Sequence, residues 1–429
     1  MFRKYILMYK KTNTLCYRRY FSYYSNSIIY NNNYLADVPV SYNTLSDNPV
    51  LFNTNHIHYN NDILKIINKH KSNEPFIIFH PNNIIKKINQ WSLLLPGITP
   101  YYALKCNPDK KIIDIMKNFN MHYDCASKNE IKKILTNNII HNKIIFANPS
   151  KNPDHIQYAK NKNINLLTFD SFNELHKIKA LHPSAKLLLR IKVDDSKSSL
   201  KFSSKFGVDI TDVSKLLLLA KVLELNIIGI SFHVGSRCND IDTYTNALQL
   251  SRQVFNIGLK CGYKFSMINI GGGFSGTDDY TFQQIAKTIN TNIDKYFNKN
   301  SIDFIAEPGR YFAESAYTIV VKVINKKSII DNNKLKILYF INEGVYGCFN
   351  NLLTDKANIK INTFKPYNQN IKSTIFGPSC DALDCIASNI ELPELEIGDY
   401  IYIENMGAYT AACGTNFNGF NMARVKYIL

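Results

Sequence analysis

Short apolar runs separated by amphipathic segments fill the middle of the chain. Runs rich in Ile, Leu and Tyr occupy residues 100–105, 122–127, 143–148, 165–170, 186–193, 227–234, 267–273 and 303–309. Each is short and apolar on both alternating sets of positions, so each predicts a strand of a parallel sheet buried on both faces. Between them, apolar residues recur at helical spacing over 109–119, 130–135, 171–181, 213–225 and 243–259. A strand-then-helix unit repeated about eight times is the number that closes a TIM barrel. Ahead of it lie an extended segment at 38–52, a helical pattern at Ile63, Ile66 and Ile67, a strand at 75–80 and a helix at 84–95. After Arg310 the helical pattern fades. Residues 315–324, 335–341, 373–376, 399–403 and 425–429 predict strands joined by turns. The predicted fold class is therefore α/β plus all-β: a (β/α)8 barrel followed by a β-sandwich or β-barrel domain. Its expected parts are an extension at 1–35, a segment at 36–75 that joins the β domain, the barrel at 76–313 and the β domain at 314–429.

A barrel places its chemistry at the C-terminal ends of its strands. Polar residues gather there: Lys105, Asp124 with Ser127, Asn148, Asp170, Arg190, His233, the glycines 271–273, and Glu307 with Arg310. Helix capping accounts for two or three of these. The whole set predicts a shared site at the barrel mouth. Lys105 ends an apolar strand, where an unpaired ammonium is costly, and condensing with an aldehyde is one good use for such an amine. Gly271-Gly272-Gly273-Phe274-Ser275-Gly276 follows the seventh strand rather than opening a first βα unit, so it reads as a phosphate cradle and not as a dinucleotide fingerprint. Ser236 and Gly309-Arg310 add donors to it. A Schiff-base lysine, a phosphate nest and an acid at a neighbouring strand end suggest pyridoxal 5'-phosphate, with Glu307 keeping the pyridine nitrogen protonated and His233 against the ring. A phosphosugar barrel with a catalytic lysine is the alternative, and it leaves the β domain without a role.

Composition narrows the partners. The net charge is +17, but the lysines are scattered, with no basic helix bearing interleaved aromatics, no finger and no basic zipper, so nucleic acid is not an expected partner. Nine cysteines without framework spacing favour a reducing compartment, and no metal site is expected. No apolar run reaches the ~18 residues of a membrane span, so a soluble protein is expected. Residues 1–36 contain no acidic side chain and carry Arg3, Lys4, Lys10, Lys11, Arg18 and Arg19. They read either as a mitochondrial targeting peptide or as a disordered extension of a cytoplasmic protein.

The stretches TPYYALKCN, DCASKNEI, LLRIKVDDS, SFHVGSRC, INIGGGFSG, AEPGRYF, EGVYGCFNNLL, FGPSCDALDCI and ENMGAYTAAC occur in that order. In them the chain resembles the eukaryotic ornithine decarboxylases, group IV pyridoxal-phosphate decarboxylases of the alanine-racemase-like fold. The resemblance runs from about residue 36 to near the C-terminus. It implies that Lys105 holds the cofactor through a Schiff base, that Glu307 pairs with the ring nitrogen, and that His233 stacks on the ring with Asp124 and Arg190 lining it. Ser236, Gly273, Arg310 and Tyr409 then hold the phosphate, with Gly271, Gly272 and Gly309 also placed at the cofactor. Asp355, Asp381 and Tyr346 serve the substrate, the two carboxylates receiving the distal ammonium of L-ornithine, and Cys380 protonates Cα after CO2 leaves. It further implies a homodimer in which Cys380 and Asp381 come from the partner subunit, and it admits an antizyme-like protein inhibitor as a partner.

Four positions depart from the family pattern. Arg237 stands for a glycine, Asn269 for an aspartate, Glu343 for an aspartate and Thr354 for a tyrosine. A catalytically dead regulatory homologue is a competing reading, and the presence of Lys105, Asp124, Cys380 and Asp381 opposes it. A decarboxylase of lysine, arginine or diaminopimelate is another. Two acidic residues disfavour diaminopimelate, whereas lysine differs from ornithine by one methylene, worth only ~1–3 kcal/mol in a pocket.

Overall fold

The computed structural model describes residues 56–70, 73–366 and 370–427; the expected extension at 1–35 and the extended segment at 38–52 lie outside the described residues. A helix, α1 (His56–His70), precedes the short strand β1 (Phe76–Phe79) and a second helix, α2 (Pro81–Leu94). Eight strands then close into a parallel barrel: β2 (Ile98–Ala103), β3 (His122–Cys125), β4 (Ile144–Phe146), β5 (Leu166–Phe169), β6 (Lys186–Arg190), β7 (Asn226–Ser231), β8 (Met267–Asn269) and β9 (Asp303–Ala306). β9 returns to β2 with Ile98 opposite Phe304 and Pro100 opposite Ala306. Tyr101, Ile145, Ala147, Leu188 and Ile305 form an apolar cluster separate from the main core, the filling expected inside a barrel of this size.

Helices follow the strands because caps start them. Asp109 accepts from the Lys111 backbone N–H at 2.7 Å, and Ser127 from that of Glu130 at 3.3 Å. Ser127, which the sequence places at a strand end, is thus a cap. Asn148 and Asp170 serve loops, accepting from the backbone N–H groups of Ser150 and Gly207. Helices at Pro153–Asn161 and Asp279–Tyr296 complete the barrel beyond those predicted.

The chain then builds an eight-stranded sheet from β1 with β10 (Tyr317–Asp331), β11 (Lys334–Ile341), β12 (Asn362–Thr363), β13 (Asn370–Phe376), β14 (Cys385–Pro393), β15 (Tyr400–Ile403) and β16 (Arg424–Tyr427). β10 is long enough to serve two neighbourhoods. Its first half pairs with β1 and β15, its second half with β11, with a register shift between Val323 and Asn325. Here one expected boundary is corrected. A barrel starting at residue 76 includes β1, yet Phe76–Phe79 pairs with Tyr317–Val320 and with Arg424–Tyr427, so it belongs to the β domain. Its two faces are both covered, which is why it reads like a barrel strand.

Trp91, the single tryptophan, ties α2 to the site-bearing loops. Its indole N–H donates to the Ile98 carbonyl at 3.0 Å, and its ring meets Phe274 at 5.2 Å and Tyr311 at 5.4 Å. Phe274 follows Gly273, and Tyr311 follows Arg310, so this packing fixes two site loops at once. Replacing such a buried aromatic by alanine costs about 3–5 kcal/mol. Among the described residues no helix is long and apolar enough to cross a membrane, and no group of three or more His, Cys, Asp or Glu is placed to hold a metal ion.

Candidate active site

A cavity of about 260 Å3 opens at the C-terminal ends of the barrel strands. Lys105 enters it from a single 3-10 turn, Leu104–Cys106, directly after β2. Its ammonium donates to Asp124 Oδ2 at 2.6 Å. Desolvation opposes charge on Lys105, but Asp124, with Tyr409 and Glu307 nearby, outweighs it and raises the Lys105 pKa above the ordinary lysine value. Asp124 lies at the end of β3 and is 1% exposed; its other oxygen, Oδ1, is buried without a hydrogen-bond partner.

Glu307 faces the same cavity after β9. Asn269, at the end of β8, donates from Nδ2 to Glu307 Oε1 at 2.6 Å and accepts at Oδ1 from the Gly271 N–H. Desolvation and the charge of Asp124 push the Glu307 carboxyl up to about 7, against the lowering effects of Lys105 and Asn269. His233 accepts at Nδ1 from the Gly235 N–H at 3.1 Å, which leaves Nε2 to carry the ring proton. Desolvation, then Arg190 and Lys105, hold its pKa well below the usual histidine range, so the ring is neutral. Arg190 ends β6 with its guanidinium 4.7 Å from the Phe206 ring centre.

The glycine run is packed too closely against its neighbours to carry side chains. A Cβ on Gly272 would meet the Glu307 carbonyl at 2.7 Å and His233 Nε2 at 3.0 Å, and Gly273 sits at φ 106°. Ser236, Arg310 and Tyr409 border the same end: Arg310 Nη2 donates to Ser236 Oγ at 3.3 Å, and its guanidinium lies 5.2 Å from the Tyr409 ring centre. Gly309 lines the cavity and precedes the helix that carries Arg310. Asp355, 3% exposed, comes from the β domain and pairs with Arg310 Nη2.

Of the sequence-predicted residues, Lys105, His233, Ser236, Gly273, Glu307, Gly309, Arg310, Asp355 and Tyr409 line the cavity; Asp124 joins it through Lys105, Gly271 through Asn269, Gly272 by its approach to His233 and Arg190 by its charge on Glu307. Cys380, Asp381 and Tyr346 do not line the cavity of their own chain. Cys380 is exposed, and its backbone N–H donates to Asn418 Oδ1 at 3.0 Å. Asp381 accepts from the Leu383 N–H at 3.0 Å and from the Tyr346 hydroxyl, and both bonds depress its pKa. Sequence reasoning missed Glu314, which accepts from Arg310 Nη1 at 3.1 Å, from Arg237 Nη2 at 3.2 Å and from the Gly276 N–H at 2.9 Å. Its position four residues after Arg310 was the available signal.

The residues fit pyridoxal phosphate on the observations above. A lysine amine, an unpartnered carboxylate oxygen on Asp124, a second acid on Glu307, and Gly273 with Ser236 and Arg310 at one end of the cavity answer its aldehyde, ring and phosphate. Arg310 Nε is likewise buried without a partner.

Residues 81–314 match the family model described as pyridoxal-dependent decarboxylase, pyridoxal binding domain. The ornithine decarboxylase of Schizosaccharomyces pombe is 42% identical over 366 residues, which cover 83% of each chain. Antizyme inhibitor 2 of Xenopus laevis is 40% identical over 382 residues, 86% of this chain and 84% of that one. Among solved structures, the arginine decarboxylase of Paramecium bursaria Chlorella virus, bound to agmatine, aligns with a TM-score of 0.83 at 36% identity, covering 86% of this chain and all of that one. By the extent of that domain match, and by relatives aligned over most of its length, the chain belongs to the pyridoxal-dependent decarboxylase family.

Proposed function

We propose that the protein converts L-ornithine to putrescine and CO2, the first step of polyamine biosynthesis. The observation that carries this reading is one cavity holding Lys105 on Asp124, Glu307 on Asn269, and the acidic Asp355 from the β domain. Pyridoxal phosphate, when bound, supplies the electron sink for the charge left behind as CO2 departs. The Lys105 amine, held on Asp124, is the nucleophile that would hold the cofactor. Glu307 keeps a proton at the pyridine nitrogen. Neutral His233 offers a flat face to the ring without adding charge, and Arg190 lines it. Ser236, Gly273, Arg310 and Tyr409, which line one end of the cavity, would hold the phosphate. Asp355 accepts the distal ammonium. Antizyme inhibitor 2 aligns as well as the decarboxylases do, but the complete set of Lys105, Asp124, Glu307, Cys380 and Asp381 in this chain favours catalysis.

Two groups needed for the reaction stand outside this cavity: a proton donor for Cα and a second carboxylate for the substrate's distal end. Cys380 and Asp381 have the right chemistry, and we infer that each serves the cavity of a second copy in a two-fold dimer. Leu383, whose N–H donates to Asp381, and Phe417, packed on Tyr346, are exposed apolar side chains that suit burial against another subunit. The test is amine product analysis with ornithine, lysine and arginine in competition. Putrescine must dominate; predominance of cadaverine or agmatine reassigns the substrate.

A further inference from the structure

Arg237 follows Ser236 in the loop after β7, where the sequence departs from the family's glycine. Its backbone sits at φ 52°, in the left-handed region that disfavours a side chain. The guanidinium turns into the wall of the Lys105 cavity. Its Nη2 reaches Glu314 Oε1 at 3.2 Å and Asp355 Oδ2 at 3.5 Å. Arg310 holds the same two oxygens, Nη1 on Glu314 at 3.1 Å and Nη2 on Asp355. Two cations and two carboxylates therefore alternate in a closed ring whose most exposed side chain, Arg237 itself, is 22% exposed. Charge counting gives the consequence. Among these four side chains, Arg310 alone against Glu314 and Asp355 leaves one net negative charge and Arg237 cancels it, a one-charge difference that persists when a phosphate also meets Arg310. A neutral ring attracts an ammonium less than an anionic one does.

We propose that Arg237 is a specificity-determining residue that moderates how strongly Asp355 holds the distal ammonium of a diamino substrate or diamine product. The proposal rests on the reading of Asp355 as that ammonium's acceptor. Arg237 acts through Asp355 and Glu314, and its effect is confined to ligands with a second amine. A diamine product then leaves more readily than a site with an uncompensated Asp355 would allow.

The experiment measures binding of 1,4-diaminobutane and of butylamine, the same chain without the distal amine, to the holoenzyme by calorimetry. Arg237→Gly suits the left-handed backbone, and Arg237→Lys keeps the charge. Arg237→Gly should bind diaminobutane roughly two- to fivefold more tightly, the range of a partly exposed ion pair, with butylamine unchanged. Arg237→Lys should stay near the parent protein. Unchanged diamine binding in Arg237→Gly overturns the proposal, and so does an equal change for both amines, which would place Arg237 at the cofactor instead. Asp355→Asn separates the two levels: it should weaken diaminobutane far more than butylamine. Equal effects there overturn the reading of Asp355 itself, whatever Arg237 does.

Discussion

The barrel mouth and the loops around Cys380 position reactive side chains in opposite ways. At the mouth each group is held by its neighbours' side chains. Lys105 lies on Asp124, Glu307 on Asn269, and Arg310 on Glu314, Ser236 and Asp355. Around Cys380 the loop is shaped from within by Asp384, 1% exposed, which takes the backbone N–H groups of Val345 and Ser379. Asp381 is likewise held by its own loop and by Tyr346. The first region is a cavity with low solvent access, where charges act strongly; the second is a preformed edge open to water, where they are screened. An edge of that kind becomes useful for proton transfer only when another surface covers it.

Breaking the mouth should have the largest effects. Lys105→Ala removes the amine placed on Asp124, so turnover should fall on the order of a thousandfold or more, and borohydride should no longer fix the cofactor to the protein. Cofactor still covalently held in that variant would refute the site. Glu307→Gln should leave the cofactor bound while slowing single-turnover decarboxylation by roughly two to three orders of magnitude. The same variant carries a pH signature in the cofactor-free protein. Glu307 is raised from 4.5 to about 7, so the folded chain favours its protonated form. That contribution to stability is fully present below pH 4.5 and lost as pH rises through about 7. Glu307→Gln should flatten melting temperature against pH across that window, and an unaltered curve would show that Glu307 does not titrate there.

The contrast also explains what the sequence made legible. All eight barrel strands could be read because burial on both faces leaves continuous apolar runs, and Lys105 because a charge ends one of them. The same rule misplaced Phe76–Phe79, since an apolar run does not say which sheet covers it; its partners in β10 and β16 lie far along the chain. β14 escaped because Asn389, at φ 55°, and a register shift interrupt its alternation. Residue identities mark Arg237 as unusual, but its tie to Asp355 joins a barrel loop to the β domain and appears only in three dimensions. Cys380 and Asp381 were identified by resemblance alone; nothing in their spacing points to Lys105.

Asp381→Ala probes the exposed edge. If Asp381 meets the distal ammonium once covered, KM for ornithine should rise on the order of tenfold to a hundredfold, with little change for a substrate lacking that amine. Equal losses for both substrates would make Asp381 a loop-shaping residue, acting through its bonds to Tyr346 and Leu383.

The smallest effect gives the sharpest separation between the two regions. Lys105→Ala damages only the mouth, and Cys380→Ala damages only the edge. In a two-fold dimer that shares its sites, either homodimer has two damaged sites. The mixed dimer instead has one site with both lesions and one with neither. Random exchange puts about half of the dimers in the mixed form, and half of their sites are intact. Mixing equal amounts of the two variants should therefore restore roughly a quarter of the parent activity. Exchange is verified independently by pulling down one tagged variant and detecting the other. If exchange is complete and activity stays at the average of the two variants, Cys380 serves its own chain. The edge would then have to reach its own cavity by a loop rearrangement rather than by a partner's approach.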